Sequence, residues 1–265
     1  MTMTDTTIDA RHQAPQGPAV NAVTLDDPWQ WLAAGWKDLR QAPKYSLAYG
    51  AVFVLVSYVL TLALINGKMF FIIPPLVAGF FLMAPLLGIG LYGISRAIEQ
   101  NKPVEFCQIL KAWRSNPVHI SAMGLILLML MLGWMLAANL VFALFFDKPV
   151  PTWENFIPTV FLSGDHPMFL LAGIASGGLI ALFTFAVSVV TVPLLIDRKI
   201  DFVTAILTSI RALRANWRPL LLWAALIAMF VGIGILTFYI GLLVTMPLVG
   251  HATWHAYRDL VAADD

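Results

Sequence analysis

"LLLWAALIAMFVGIGILTFYIGLLVTMPLVG", residues 220–250, runs for 31 residues without a charged side chain. As one helix it would rise about 46 Å at roughly 1.5 Å per residue, against a hydrocarbon core about 30 Å thick. It is therefore either one strongly tilted span or a tight hairpin of two. The choice sets the number of spans and the side of the membrane on which the chain ends.

The rest of the chain has the same character. Of 265 residues, 60% are hydrophobic and 12% charged, and the mean hydropathy is +0.81; a soluble domain has an apolar share of roughly 45–50%. These values point to an all-α, polytopic membrane helical bundle. Four other apolar runs, 46–66, 70–94, 119–146 and 168–196, are long enough to cross a bilayer. Residues 1–25 lack the continuous apolar core of a secretory signal and read as a disordered polar tail. The single cysteine, Cys107, leaves no intrachain disulfide framework and no multi-cysteine metal site.

An internal repeat bears on the hairpin question. "DDPWQWLAAGWKDLRQAP" (26–43), "NKPVEFCQILKAWRSNP" (101–117) and "KIDFVTAILTSIRALRANWRP" (199–219) each open on an acid or a proline and end on a proline before an apolar span. Their apolar positions fall at helical spacing: Trp29, Leu32, Ala33 and Trp36; Phe106, Ile109, Leu110 and Trp113; Val203, Ile206, Leu207, Ile210 and Leu213. Asp27 with Pro28, Pro103, and Asp201 are the expected helix starts. Lys37 and Arg40, Lys111 and Arg114, and Arg211 and Arg214 give each a basic face. That pattern suggests helices lying in the interface of an anionic leaflet; the alternative is a loop helix packed on the bundle.

After Pro85 the chain reads "PLLGIGLYGISR", and after Pro247 "PLVGHATWHAYR". Both place glycine three residues on (Gly88, Gly250), an aromatic seven on (Tyr92, Trp254) and arginine eleven on (Arg96, Arg258). Pro193 opens a shorter echo, "PLLIDR", ending at Arg198. If each unit is an interfacial helix plus two spans, residues 220–250 hold two helices and the total is six, in one domain over 26–261 with a short tail at 262–265.

Charge placement agrees. With six spans and both termini on one side, fourteen of the 16 lysines and arginines share that side, and only Lys68 and Lys148 lie opposite. Basic residues favour the cytoplasm, so both termini are expected there. Residues 147–167, with four prolines, form the longest loop outside.

Little in the sequence carries chemistry. The acidic residues sit in tails, loops or at span ends, which weighs against a proton pump or carboxylate-coupled transporter. Asn139, Ser176, Thr184, Ser188 and Thr191 are expected to form interhelical hydrogen bonds, and Gly173 with Gly177 a close-packing pair. No phosphate-binding glycine loop, activated nucleophile or zinc-protease helix occurs, and the basic clusters are too dispersed for nucleic acid. The expectation is no enzyme, no cofactor, and the bilayer, with other membrane proteins, as partner.

His251 and His255, four apart on one helix face, are the candidate metal or haem ligands. The competing reading is a helix end in the headgroup zone, anchored by Trp254, Tyr257, Arg258 and the two imidazoles. Ile89 and Gly93 hold the matching places after Pro85 and no third ligand is near, which favours the second reading.

These motifs carry a resemblance. "LVAGFFLMAPLLGIGLYGISRAIE", "FAVSVVTVPLLIDR", "GHATWHAYRDLV" and "WLAAGWKDL" are similar to a bacterial integral-membrane family of unknown function (domain of unknown function 2189), some of whose members are labelled as a cytochrome c oxidase subunit. The resemblance implies the bacterial inner membrane and brings no activity or site residues. With only His12, His119, His166, His251 and His255, none deep in an expected span, the chain lacks the ligands of a haem–copper subunit. The leading expectation is a noncatalytic scaffold or accessory factor of a membrane complex. The alternative is a transporter of small solutes or lipids built from pseudo-repeats with proline-broken helices. A polar cavity near Pro85 and Pro247 would favour transport, and a sealed apolar bundle the accessory role.

Overall fold

The computed structural model describes residues 17–146, 152, 154–155 and 158–263. Among them the chain is helical apart from short connections and one isolated backbone bridge. The helices are α1 Asp27–Gln41, α2 Pro43–Asn66, α3 Ile73–Leu87, α4 Ile89–Glu99, α5 Phe106–Arg114, α6 Pro117–Phe145, α7 Pro167–Ser188, α8 Thr191–Asp197, α9 Phe202–Ala215, α10 Trp217–Leu236 and α11 Leu242–Leu260. A 3-10 turn at Phe70–Ile72 leads into α3, and a π turn at Pro158–Leu162 precedes α7. Pro43, Pro117 and Pro167 open α2, α6 and α7, where a missing N–H costs nothing.

Among the described residues, five helical stretches are long and apolar enough to cross a membrane: Pro43–Asn66, Phe70–Glu99, Pro117–Phe145, Pro167–Asp197 and Trp217–Leu236. Helix α11 is not among them, because its second half carries His251, His255, Arg258 and Asp259. Residues 220–250 are nevertheless two helices. The chain turns between Leu236 and Leu242, with Phe238 and Tyr239 in the left-handed region at φ 53° and 66°. Non-glycine residues resist that conformation, so the turn needs support. Thr237 Oγ1 accepts from the Gly241 N–H at 3.0 Å, and Tyr58 on α2 donates its hydroxyl to the Phe238 carbonyl at 2.6 Å.

The three amphipathic helices form at the expected places, and part of each apolar stripe stays exposed, as Trp29 and Trp36, Phe106 and Trp113, and Val203 and Leu207 do. On α9 the bundle-facing residues are the small Ala205, Thr208, Ser209 and Ala212, while Val203 and Leu207 are 51% and 55% exposed. On α1, Trp31, Leu32, Gly35, Asp38 and Leu39 are buried, and Trp29 and Trp36 stay outside. Small residues let helices approach, so they mark the packed face in a membrane bundle better than large apolar ones do. The starts also differ. Asp201 caps α9 through the Thr204 N–H as expected, whereas Asp27 bonds back to Thr24, and α5 begins at Phe106 rather than Pro103. The side chains of residues 107–110, which include Cys107, Ile109 and Leu110, lie outside the described set.

Three other expectations are corrected. Residues 1–16 of the tail lie outside the described set, but from Gly17 onward the segment is ordered. Val20 pairs with Val261, the Ala262 N–H donates to Ala19, and the Val23 N–H donates to Asn216 Oδ1. Asn139, Ser176, Thr184 and Ser188 donate to carbonyls three or four residues back in their own helices. Only Thr191 also reaches another helix, at Ala205. Gly173 faces open space and Gly177 faces the Trp134 ring, so this pair brings no helix backbone close. Of the loop 147–167, residues 147–151, 153, 156 and 157 lie outside the described set, as do 264 and 265 of the C-terminal tail.

Candidate functional site: a polar clamp beneath an apolar cavity

The three proline-headed segments come together at one end of the bundle. Proline lacks an N–H and cannot bond the carbonyl four residues back. For Pro85 and Pro193 those carbonyls belong to Phe81 and Val189, and the helix breaks just beyond Pro85, at Gly88, and just before Pro193, at 189–190. For Pro247 the helix continues, and the freed Leu243 carbonyl is packed against Gly50 of α2, where a Cβ would collide with it. Gly35 of α1 is equally constrained, since a Cβ there would lie 2.6 Å from the Ala252 nitrogen. These two glycines let α1 and α2 close on α11. Gly250 sits against Leu91 of α4, with no room for a side chain.

That packing buries the end of α11, and the headgroup reading of its residues is overturned. His251 is fully buried, its Nε2 2.9 Å from Ser46 Oγ and its Nδ1 2.8 Å from Ser95 Oγ. His255 Nε2 lies 2.9 Å from Oδ2 of the buried Asp38. The Trp254 indole donates to Glu99 at 3.0 Å, and the Tyr257 hydroxyl to Asp197 at 2.8 Å. Arg258 bonds Glu99 at 2.9 Å and Asp197 at 3.3 Å. Arg96 donates to the Ile196 and Asp197 carbonyls at 3.0 and 3.2 Å, and its Nε lies 3.1 Å from Asp197 Oδ1, an ion pair not aligned as a hydrogen bond. Arg198 donates to the Ala262 carbonyl, and the Trp31 indole to Asp259 at 2.7 Å.

Neighbouring helices, rather than lipid headgroups, thus satisfy these polar groups. The physical reason is cost: a buried donor or acceptor left unmade costs about 1–3 kcal/mol, and of these groups only the buried Arg96 Nε makes no hydrogen bond, lying instead in its ion pair with Asp197. Both ring nitrogens of His251 are engaged, one as donor and the other as acceptor, so the ring's single lone pair is already taken by a serine hydroxyl. Among the described residues, no group of three His, Cys, Asp or Glu side chains is placed to hold a metal ion. Pro85, Gly88, Tyr92, Arg96, Pro193, Arg198, Pro247, Gly250, Trp254 and Arg258 all lie in or beside this assembly. Sequence reasoning missed Asp38, Ser46, Ser95, Glu99 and Asp197. Their one visible signal was position, since each stands within four residues of a helix end.

Above the clamp lies a cavity of about 810 Å³ between α3, α6, α7, α10 and α11. Phe71, Pro74, Phe142 and the π-turn residues Val160 and Phe161 line it away from the clamp, and Leu91, Tyr92, Ser188, Gly250 and Thr253 line it beside the clamp. It exists because small residues face it: Ala78, Ala138, Gly173, Ala181, Ala224 and Ala228. Among the described residues, the lining holds no Lys, Arg, His, Asp or Glu. Pro85 and Met246 to Gly250 lie on it, so the proline-broken level opens into an apolar space.

A bundle of long apolar helices around such a space is the structure of an integral membrane protein with multiple spans. Residues 72–197, from the 3-10 turn to the end of α8, match the family described as Predicted integral membrane protein (DUF2189). No curated protein and no solved structure matches the chain. The matched segment supplies Arg96, Glu99 and Asp197 to the clamp, while their partners on α11 lie outside it.

Proposed function

We propose that this is a noncatalytic, six-span protein of the bacterial inner membrane, with both termini cytoplasmic, that houses an apolar molecule from the bilayer between its helices. The single observation that carries this reading is the 810 Å³ cavity, a size within the roughly 300–1,000 Å³ typical of small-molecule sites. A polar cavity would suit a hydrophilic solute, and a sealed bundle a passive scaffold. An apolar, uncharged chamber walled by membrane-length helices instead suits a lipid chain or similar compound.

The sixth span is α11, turned back against α10. The fourteen-to-two distribution of basic residues supports cytoplasmic placement of the clamp and both termini. The exposed Trp29, Trp36, Val203 and Leu207, beside basic side chains, support α1 and α9 lying in the interface of that leaflet. Three pseudo-repeats are supported by the meeting of Arg96, Arg258 and the Asp197 that precedes Arg198.

The test is solvent extraction and mass spectrometry of protein purified in mild detergent. Wild type is compared with a double variant, Gly173→Phe with Ala228→Phe, which puts two rings into the cavity; a Cβ at Gly173 meets nothing within 4 Å. A near-stoichiometric apolar compound in wild type, lost from the variant, is expected. Equal amounts in both would reject the reading.

A further inference from the structure

Helices α7 and α10 each carry one continuous strip of lining. Ile174, Gly178, Leu182 and Ala186 are spaced four apart on α7, and Trp217, Leu221, Ala224 and Ala228 stand three or four apart on α10, so each set forms one helix face. Ala186, Leu182, Trp217 and Leu221 border an open apolar groove, whereas Ile174, Gly178, Ala224 and Ala228 line the cavity. Leu182 lines both. Ile174 is 73% exposed, and Gly178 and Ala228 are exposed too, so this side of the cavity is open. Helix α7 packs on α3, α6 and α9, and α10 on α1, α9 and α11. Helix α9 thus bridges the two at the clamp end, where Ser209 donates to the Ala186 carbonyl at 2.8 Å.

The end of the groove nearest α9 is basic. Arg218 lies over the exposed Trp217 ring, 5.1 Å from guanidinium to centroid. Arg214 stands seven residues on from Leu207, on the outward face of α9. Both arginines are exposed, and no acidic side chain among the described residues pairs with either. We propose that this strip is a lateral lipid site: the phosphate of an anionic phospholipid of the cytoplasmic leaflet rests on Arg214 and Arg218, and one acyl chain follows the groove past Leu182 into the cavity. This rests on the reading of the cavity as an apolar-ligand site and names the class of its occupant. The two ends of the strip suit the two ends of such a molecule. Among the described residues the cavity offers no ionised partner, and burying an unpaired charge is prohibitive, so the head stays outside. There the guanidiniums can give charge-assisted hydrogen bonds to phosphate oxygens, and Trp217 is at home at headgroup depth.

The test is photolabelling of the full chain in mild detergent with phosphatidylglycerol or phosphatidylcholine, each carrying a diazirine at the end of one acyl chain, and mapping of the adducts by mass spectrometry. Wild type is expected to be labelled on cavity-lining residues such as Ala224 by phosphatidylglycerol, and far less by phosphatidylcholine, whose choline cation offsets its phosphate. Arg214→Gln/Arg218→Gln changes two exposed side chains and is expected to lower the phosphatidylglycerol adduct about thirtyfold, or about fivefold for each cation near an anionic surface. Arg214→Lys/Arg218→Lys should restore most of it. Equal cavity labelling by the two lipids, unchanged in the glutamine variant, would overturn the headgroup assignment and leave the cavity reading intact. Arginine-dependent adducts confined to the groove, and unaffected by Gly173→Phe/Ala228→Phe, would overturn entry of the chain. No cavity adduct from either lipid would overturn the proposal, and, with no apolar compound extracted from wild type, the cavity reading as well.

Discussion

Arg96 and Arg258 approach opposite oxygens of one carboxylate, Asp197, at 3.1 and 3.3 Å. The carboxylate thereby ties α4, α8 and α11 together where each leaves the bundle. Its side chain is 14% exposed and the guanidiniums about a third, so each pair alone is worth little. Removing the shared anion leaves two cations facing each other and the Tyr257 hydroxyl without its acceptor. Asp197→Ala should therefore cost about 2 kcal/mol in reversible unfolding, and Arg96→Gln or Arg258→Gln clearly less. A loss for Asp197→Ala no larger than for either arginine variant would show that the carboxylate is not the hub.

His251 gives a sharper contrast between a buried and an interfacial helix end. Its replacement by alanine leaves a void and two buried serine hydroxyls without partners, and should cost about 3 kcal/mol. A histidine anchoring in headgroups would lose well under 1 kcal/mol, as surface positions do. Thermal unfolding in detergent distinguishes the two. Metal analysis of the purified parent should find no stoichiometric ion, since both imidazole nitrogens are already engaged.

Asp201 sets a pH dependence outside the spans. Hydrogen bonds from the Thr204 side chain and then its backbone N–H hold the carboxyl below its ordinary value. A depressed folded-state pKa contributes stability above the unfolded-chain value of about 3.9, and that stability is lost as pH falls through the folded value. Asp201→Ala should thus cost about 1 kcal/mol at pH 7, as N-cap losses do, and the gap to wild type should close in acid. A gap independent of pH would mean that the carboxylate does not act as a cap.

The α10–α11 turn should be immersed in the bilayer. Tyr58 and Thr61 of α2 bond it at Phe238 and Tyr239, five to eight residues before α2 ends at Asn66, or about 8–12 Å short of that end. Leu236 and Phe238 are 82% and 80% exposed, as lipid-facing side chains would be. In a Cys107→Ala background, a cysteine replacing Lys68 should react with an impermeant thiol reagent on intact cells. One replacing Phe238 should react only with a permeant reagent, and one replacing Asp264 only after permeabilisation. Labelling of the Asp264 position from outside would reject the six-span arrangement.

The elements were largely legible because span length and proline position are local properties. The starts of α2, α6 and α9 follow from Pro43, Pro117 and Asp201. The two-helix reading of residues 220–250 came from matching Pro85 with Pro247. What covers each face was not legible. In water an apolar stripe points inward, but in a bilayer lipid can cover it, which is why Val203 and Leu207 of α9 face out. Trp254 and Tyr257 look the same in sequence whether headgroups or Glu99 and Asp197 receive their protons. The partners of His251 and His255 lie in the first hundred residues, and no spacing connects them. The cavity was hidden for a similar reason: Gly173 and Ala228 permit close packing or leave space according to neighbours that only the fold brings near.

The most direct test of the cavity reading is a cryo-electron microscopy map of the full chain in lipid nanodiscs at side-chain resolution. An elongated non-protein density between α3, α7, α10 and α11 is the result this account predicts. A chamber closed by inward movement of those helices, or filled by the chain's own residues from the 147–167 loop, would contradict it.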